Sequence, residues 1–527
     1  MYKFAKGFWD KTRLKTPPTW FEVFLLICIF CGALSVLSLF DWWFRSLHVV
    51  NRIYFYVISF FIWSGIFRIT LNWYQLLKIK TNIVPSKAER NYSVAIFTTA
   101  APGEPLSMFK TTFKALKSLK YPCSIYFLDG TDDPKFKTLA CEFGFHHFDF
   151  SKVQGAKAGK VNEALQLTQE EFILILDPDH LVFPDFIDEV LSYFNDPDVG
   201  FVQVSQGYYN QYRSPVARAA AEQTYLFYGP SQLYYGSNQQ AVAIGANCIF
   251  RRKALESIEG HAQGLAEDLL TALRLHANGW KSIYHPVIIN WGLVPEDFDG
   301  FAKQQLKWAR GLFEVLFSEY PKVFKRLTFS AKFRYWAIGT FYLVGIRTLF
   351  FLLVPIFYFL FGWSAVNMSF SDFIVRALPF AFFSLLIYLL SQRYLIDFRS
   401  EKGFYWRGMT MKFASWPVFT YAFFLTLINK KIPYLPTSKK QSKRVSIFFW
   451  PLLVYVFLLC TSFLYHYVTS ASNELTPNNF QLQQQTLGMF SFSLLALFQN
   501  MLAIFIIFKS SNMRHKQDAW EDANTHV

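Results

Sequence analysis

The chain has no GxxxxGK[ST] phosphate loop and no GxGxxG after a strand. P-loop nucleotide hydrolysis and dinucleotide redox chemistry therefore lack the glycine-rich turns that bring backbone amides to phosphates. Its 6 cysteines, Cys28, Cys31, Cys123, Cys141, Cys248 and Cys460, show no metal-ligand pairing, so free thiols are expected. Lysine and arginine are absent from residues 364–373 and 469–487, and residues 46–53 hold only Arg52. Charged residues make up only 17% of the chain against 53% hydrophobic and 20% aromatic, which excludes a wholly soluble protein.

What is abundant is long apolar runs. Six of them, residues 21–40, 54–77, 336–362, 374–395, 445–467 and 488–508, reach the ~18 residues needed to cross a bilayer core. Residues 404–429 are interrupted by Arg407, Lys412 and Pro417 and are expected to lie along the membrane surface. The net charge of +15 gathers in the N-terminal tail, residues 78–90, residues 430–440 and the C-terminal tail. The positive-inside rule then predicts a multi-pass protein of a bacterial inner membrane or other plasma membrane, with both termini and the soluble middle cytoplasmic. The charge is a topology signal that calls for no nucleic acid. Arg347, amid an apolar run, is expected to face a channel or a partner.

Between residues 90 and 320 the composition becomes that of an α/β domain. Short apolar runs (92–98, 124–128, 172–176 and 199–204) alternate with helix-like stretches such as 105–119 and 157–167. This pattern predicts a mostly parallel sheet covered on both faces, with ligands beyond the carboxyl ends of its strands. Acids stand at those ends. The run FILIL leads into Asp177, Pro178, Asp179 and His180, and an earlier run ends in Asp129. Converging carboxylates repel unless a cation joins them, and Mg²⁺ or Mn²⁺ with phosphate oxygens is the usual solution. An isolated Asp-x-Asp also occurs in solvated turns.

Glu267 and Asp268 open a helix-like stretch, where acids either suit the helix dipole or serve as a general base. Gln304, Lys307 and Trp308 share one face of a further helix. That face fits a diphosphate and a stacked sugar, or equally a membrane-surface helix.

In order, Asp129, Asp177-x-Asp179, Glu267-Asp268 and Gln304-Gln-x-Lys307-Trp308 resemble the D, DxD, ED, Q(Q/R)xRW signature of processive family 2 glycosyltransferases. The segments around Ala156–Asn162, Leu226–Gly229 and Gly245–Arg252 are most similar to bacterial cellulose synthase catalytic subunits and curdlan-type β-glucan synthases. The resemblance implies an α/β GT-A domain embedded in a polytopic helical membrane domain. It divides the chain into 1–90 (tail and two spanning helices), 91–320 (GT-A domain), 321–510 (four spanning helices, surface helix 404–429 and gating loop 430–444) and a tail, 511–527.

It also implies roles. Thr99 and Glu104 would contact the uridine, Asp129 the uracil, and Lys157, Gln304 and Lys307 the diphosphate. Asp177 and Asp179 would hold the nucleotide and Mg²⁺ or Mn²⁺, and Asp268, with Glu267, would act as base. Trp308 and Cys248 would meet the acceptor, while Tyr434, Thr437 and Lys439 resemble the family's gating loop. Lys307 replaces the usual Arg, which alters phosphate geometry.

No stretch after the last apolar run has the length of a cyclic-di-GMP-sensing barrel, so the gate is expected to answer to donor binding alone. The function implied is polymerisation of glucose from UDP-glucose into a β-glucan passed across the membrane, with accessory subunits left open. The alternatives are a UDP-GlcNAc-using synthase, toward which the Gln304-Gln305 pair leans, and a non-catalytic transporter or scaffold.

Overall fold

A computed structural model describes residues 14, 16–80, 88–430, 432, 445–472 and 480–525. The basic N-terminal tail and the gating-loop residues Tyr434, Thr437 and Lys439 lie outside the described residues. Two apolar helices, α1 (Thr19–Trp43) and α2 (Arg52–Leu76), precede the sheet domain. Its strands are β1 (Val94–Thr99), β2 (Ser124–Asp129), β3 (His146–Asp149), β4 (Phe172–Leu176), β5 (Leu181–Val182), β6 (Val199–Tyr208), β7 (Cys248–Arg251) and β8 (Lys281–Gly292). They form one eight-stranded sheet in the order β3-β2-β1-β4-β7-β6-β8-β5. From β3 to β4 every pairing is parallel, as expected. β7 runs antiparallel to both β4 and β6, and β5 antiparallel to β8, so the whole sheet is mixed.

The period-2 alternation of a strand buried on both sides explains the continuous apolar runs. In β4, Phe172, Leu174 and Leu176 enter one core, which holds Phe109 and Phe113 of α3 (Leu106–Lys117), while Ile173 and Ile175 enter the other with Val161 and Ala164 of α4 (Ala156–Leu167). Two further helices, α5 (Glu267–Ala277) and α6 (Phe298–Glu314), flank the site, and the helix Phe329–Gly339 leads into α7 (Val344–Phe361).

Among the described residues, six helices are long and apolar enough to cross a membrane: Thr19–Trp43, Arg52–Leu76, Phe329–Phe361, Phe370–Tyr394, Ile447–Thr469 and Gln483–Ser511. Each overlaps one of the six predicted runs. The seventh segment is two helices, α8 (Trp406–Ala414) and α9 (Trp416–Leu427), which meet at Ser415 with Pro417 in the first turn of the second, where its missing N–H costs no hydrogen bond. This pair packs between the two halves of the chain. Gly408 N donates to Glu222 Oε2 at 2.9 Å, on the sheet-domain side. On the other side Gly345 of α7 lies so close to α9 that a Cβ there would stand 2.5 Å from Phe419 Cβ and 2.9 Å from Thr420 N. Gly345→Ala is therefore expected to force the helices apart and cost about 1–3 kcal/mol, read as a lower Tm of the detergent-solubilised protein.

Candidate active site

The parallel register lines up the carboxyl ends of three strands. Thr99 of β1 pairs with Leu128 of β2, and Thr98 with Leu176 of β4. Thr99, Asp129 and Asp177 therefore leave the sheet at one edge, although 78 positions separate the first from the last. Asp129 Oδ1 accepts from the Thr131 amide at 2.8 Å and its hydroxyl at 2.7 Å, while Oδ2 lies 3.0 Å from His147 Nε2. Glu104 folds back over the end of β1, where its Oε2 accepts from Ala101 N at 2.9 Å. Lys160 reaches the same corner from α4 and donates to the Ala100 carbonyl, occupying the space a Cβ on Gly130 would need.

Lys157, in the first turn of α4, stands at the centre. Its ammonium is buried and donates to Asp177 Oδ1 at 2.5 Å and to the Gly245 carbonyl. Burial alone lowers a lysine pKa, but Asp177, Glu267 and Asp268 outweigh it and hold this one above the usual range. The turn that carries it depends on Gly159, where any Cβ would strike the Gln154 carbonyl.

Glu267 and Asp268 open α5. Burial raises both, and repulsion from Glu267 adds to the rise at Asp268, whose carboxyl is pushed up to about 7 against the opposing pull of Lys157 and Lys307. Gly245, at φ +87°, faces the Asp268 carboxylate, which would lie 3.2 Å from a Cβ there. A carboxyl that changes charge near neutrality is suited to taking a proton.

The donor set for a divalent ion is also present. Asp177, Asp179 and His180 offer ligand atoms all within 4.8 Å of one another. Asp179 Oδ2 accepts from Leu293 N at 3.1 Å, and His180 Nδ1 stands 3.5 Å from Asp179 Oδ1. Both ring nitrogens of His180 are buried and have no hydrogen-bond partner among the described residues, and the missing Cβ of Gly292 leaves room beside Nε2. Two carboxylates and an imidazole with such orphaned nitrogens fit Mg²⁺ or Mn²⁺. In the sequence His180 stands out only as part of a motif, and nothing local shows that β8 closes over its ring.

α6 presents half-buried Gln304 and Lys307 and exposed Trp308 on one face, while Gln305 and Ala309 are buried on the other. Lys307 is near enough to lower both Glu267 and Asp268. Gly311 lets this helix meet the loop before α5, since a Cβ would lie 2.9 Å from Ala266 N. Arg310, which no motif marks, donates to the Lys430 carbonyl at 3.3 Å, where the expected gating loop begins. Cys248 is a correction. It sits on β7 at 1% exposure inside the core beneath the pocket, where no acceptor surface can touch it.

Residues 172–396 match the family described as glycosyl transferase family group 2. The chain is 27% identical over 285 residues to a UDP-forming cellulose synthase catalytic subunit of Pseudomonas fluorescens, covering 52% of this chain and 39% of that protein. It is 26% identical over 294 residues to cellulose synthase 1 of Komagataeibacter xylinus, covering 53% and 19% respectively. Against a UDP-forming cellulose synthase of Dictyostelium discoideum the identity is 35% over 167 residues, covering 30% and 16%. The chain thus spans well under half the length of these curated relatives. A mannosyltransferase from Pyrobaculum calidifontis, solved with GDP-Man and Mn²⁺, is 16% identical with a TM-score of 0.47, covering 71% of this chain and 99% of that one. The family match and the cellulose synthase relatives agree with the resemblance read from the motifs.

If the acidic pair and His180 hold the cation, Asp179→Asn and His180→Ala should each weaken Mn²⁺ binding about tenfold or more. Electron paramagnetic resonance of free Mn²⁺ titrated against purified protein measures this without reference to activity.

Proposed function

We propose that this protein is an inverting, processive UDP-sugar glycosyltransferase of the membrane that builds a β-glucan from UDP-glucose and passes the chain through its own helices. The observation that carries the reading is the convergence on Gly245 of Lys157, which also holds Asp177 at the end of β4, and of the Asp268 carboxylate. The acceptor hydroxyl gives its proton to Asp268 as its oxygen bonds to the donor's anomeric carbon and the bond to the diphosphate breaks. One base on the acceptor side suffices for inversion. Lys157, Lys307 and Gln304 would hold the departing diphosphate, with Asp129, Thr99 and Glu104 around the uridine and Trp308 under the acceptor sugar. A divalent ion at Asp177, Asp179 and His180 supplies Lewis-acid stabilisation of the phosphate charge when bound.

The UDP-forming cellulose synthase relatives are in keeping with this donor class. Loop charge supports placing the catalytic domain and both termini on the cytoplasmic side. The UDP-GlcNAc alternative leaned on the Gln304-Gln305 pair, of which Gln305 is buried in the packed face of α6 and Gln304 is half-buried on the other.

Purified protein should release UDP from UDP-glucose; release from UDP-GlcNAc alone would overturn the choice of donor. Asp268→Asn should lower kcat by about 10²–10⁴-fold. Because a protonated Asp268 cannot accept the acceptor's proton, kcat/KM should fall as pH drops below about 7, by about tenfold per unit. A profile flat between pH 5 and 8, roughly, would remove Asp268 from the base role.

A further inference from the structure

Two lysines of α4 reach the strand ends from one helix face. Lys157 and Lys160 are three positions apart, so they stand one above the other with a rise of ~4.5 Å between them. Lys157 meets Asp177 at the end of β4, whereas Lys160 turns to the neighbouring corner, where β1 and β2 end. There its ammonium donates to the Ala100 carbonyl and fills the space a Cβ on Gly130 would need. Burial pulls its pKa below the usual lysine range, against the opposing pull of Glu104 and Asp129, the two carboxylates that share the corner. Among the described residues the Ala100 carbonyl is the one hydrogen-bond partner of this ammonium, which leaves two of its three N–H groups for a ligand. The corner is open on its outer side, where Ala101, Glu104 and Thr131 are half-buried and Pro102 and Gly103 exposed.

The carboxylate beside Lys160 is nearly saturated. Asp129 Oδ1 accepts twice, from the Thr131 amide at 2.8 Å and the Thr131 hydroxyl at 2.7 Å. Oδ2 lies 3.0 Å from His147 Nε2 of the edge strand β3, and because a carboxylate only accepts, that nitrogen is the donor. Of the about four lone-pair sites of a carboxylate, one then remains, on Oδ2. The corner thus presents a single acceptor next to a cationic donor. Uracil offers the complement, one N–H at N3 flanked by two carbonyls. Cytosine sets a bare ring nitrogen against the carboxylate and an amino group against the ammonium, and adenine does the same. Guanine has the carbonyl but brings two adjacent N–H donors to one lone pair, so one of them is buried unpaired.

We propose that Lys160 is a specificity-determining residue of the donor site: it donates to a carbonyl of the uracil ring while Asp129 accepts from N3–H, and the pair selects uridine over cytidine and guanosine nucleotides. The inference rests on the proposed function above, in which Asp129 stands by the uridine, and it adds the residue that supplies the donor half of base recognition. The Ala100 carbonyl already holds the ammonium at the corner, so little side-chain freedom is lost when the base arrives. His147 acts through Asp129, by occupying the lone pair that a second N–H of guanine would need.

The test is competition for radiolabelled UDP bound to the full-length protein in detergent with Mn²⁺, using unlabelled UDP, CDP and GDP. CDP and GDP are expected to bind about 10–100-fold more weakly than UDP, the range set by a hydrogen bond to a charged group. Lys160→Met should lower UDP affinity by about the same factor and leave CDP affinity nearly unchanged, so that the UDP-to-CDP ratio falls towards one. Lys160→Gln, whose amide can donate to uracil or accept from the amino group of cytosine, should narrow the ratio by raising CDP affinity. Each ratio is taken within one preparation, so loss of folded protein cancels. An equal loss of UDP and CDP affinity in Lys160→Met assigns the lysine to the diphosphate and overturns the inference. A wild-type ratio retained in Lys160→Gln, or wild-type protein that binds CDP or GDP as tightly as UDP, overturns it too. Each of these outcomes leaves the proposed function standing, whereas wild-type protein that neither binds UDP nor releases it from UDP-glucose overturns both.

Discussion

One buried ammonium organises the candidate site. Lys157 is held between Asp177 at the end of β4 and the Gly245 carbonyl that precedes β7, with Glu267 and Asp268 of α5 acting on it from the third side. In a medium of low dielectric neither the lysine nor the carboxylates would keep their charges alone. Together they place charge of both signs at one edge of the sheet, and a residual imbalance remains in the carboxyl of Asp268. That imbalance is chemically useful because the same burial that strains it also sets the proton affinity of a base. The arrangement tolerates few changes to the backbone around it. Gly159 and Gly311 each occupy a point where the chain passes too close to a neighbour for a side chain, and Gly245 takes a left-handed φ of +87°.

α8 and α9 pack between the membrane helices and the sheet domain, and α1 and α2 add a direct apolar contact through Phe21, Leu25 and Trp73 against Tyr284 and Ile288. α8 is fastened to Glu222 on one side, and α9 is pressed against α6 and α7 on the other. The helix that offers Gln304, Lys307 and Trp308 to the pocket is therefore also part of the wall shared with the membrane helices. A displacement of α9 would move α6, and α6 touches the loop before Asp268 through Gly311. Arg310 adds a hydrogen bond from α6 to the carbonyl of Lys430, so the segment beyond α9 starts from a fixed point.

How legible this was depended on how local each signal is. Apolar runs long enough to span a bilayer are counted along the chain, and all six reappear as helices. The alternation in β4 and the acids that follow it could also be read directly, because a strand's period and its end are local properties. His180 was visible as a letter but not as an orphaned buried imidazole, since β8, which covers it, comes more than a hundred positions later. Cys248 was misassigned to the acceptor surface for the matching reason: adjacency to a motif says nothing about which face of β7 a side chain takes.

The amino-acid sequence by itself determined the class of the molecule: an α/β domain set among apolar helices, with acids at strand ends in a recognisable order. Those features follow from composition and short-range periodicity, which act before the chain folds. The tertiary structure alone decided which charges are compensated. Lys157 finds three carboxylates, while Arg68 and Lys412 meet over the ring of Phe341 and, among the described residues, form no ion pair with a carboxylate. Charge along a chain can be counted from its letters, but its cost and its use depend on distance and dielectric, and both are fixed only when remote segments pack together.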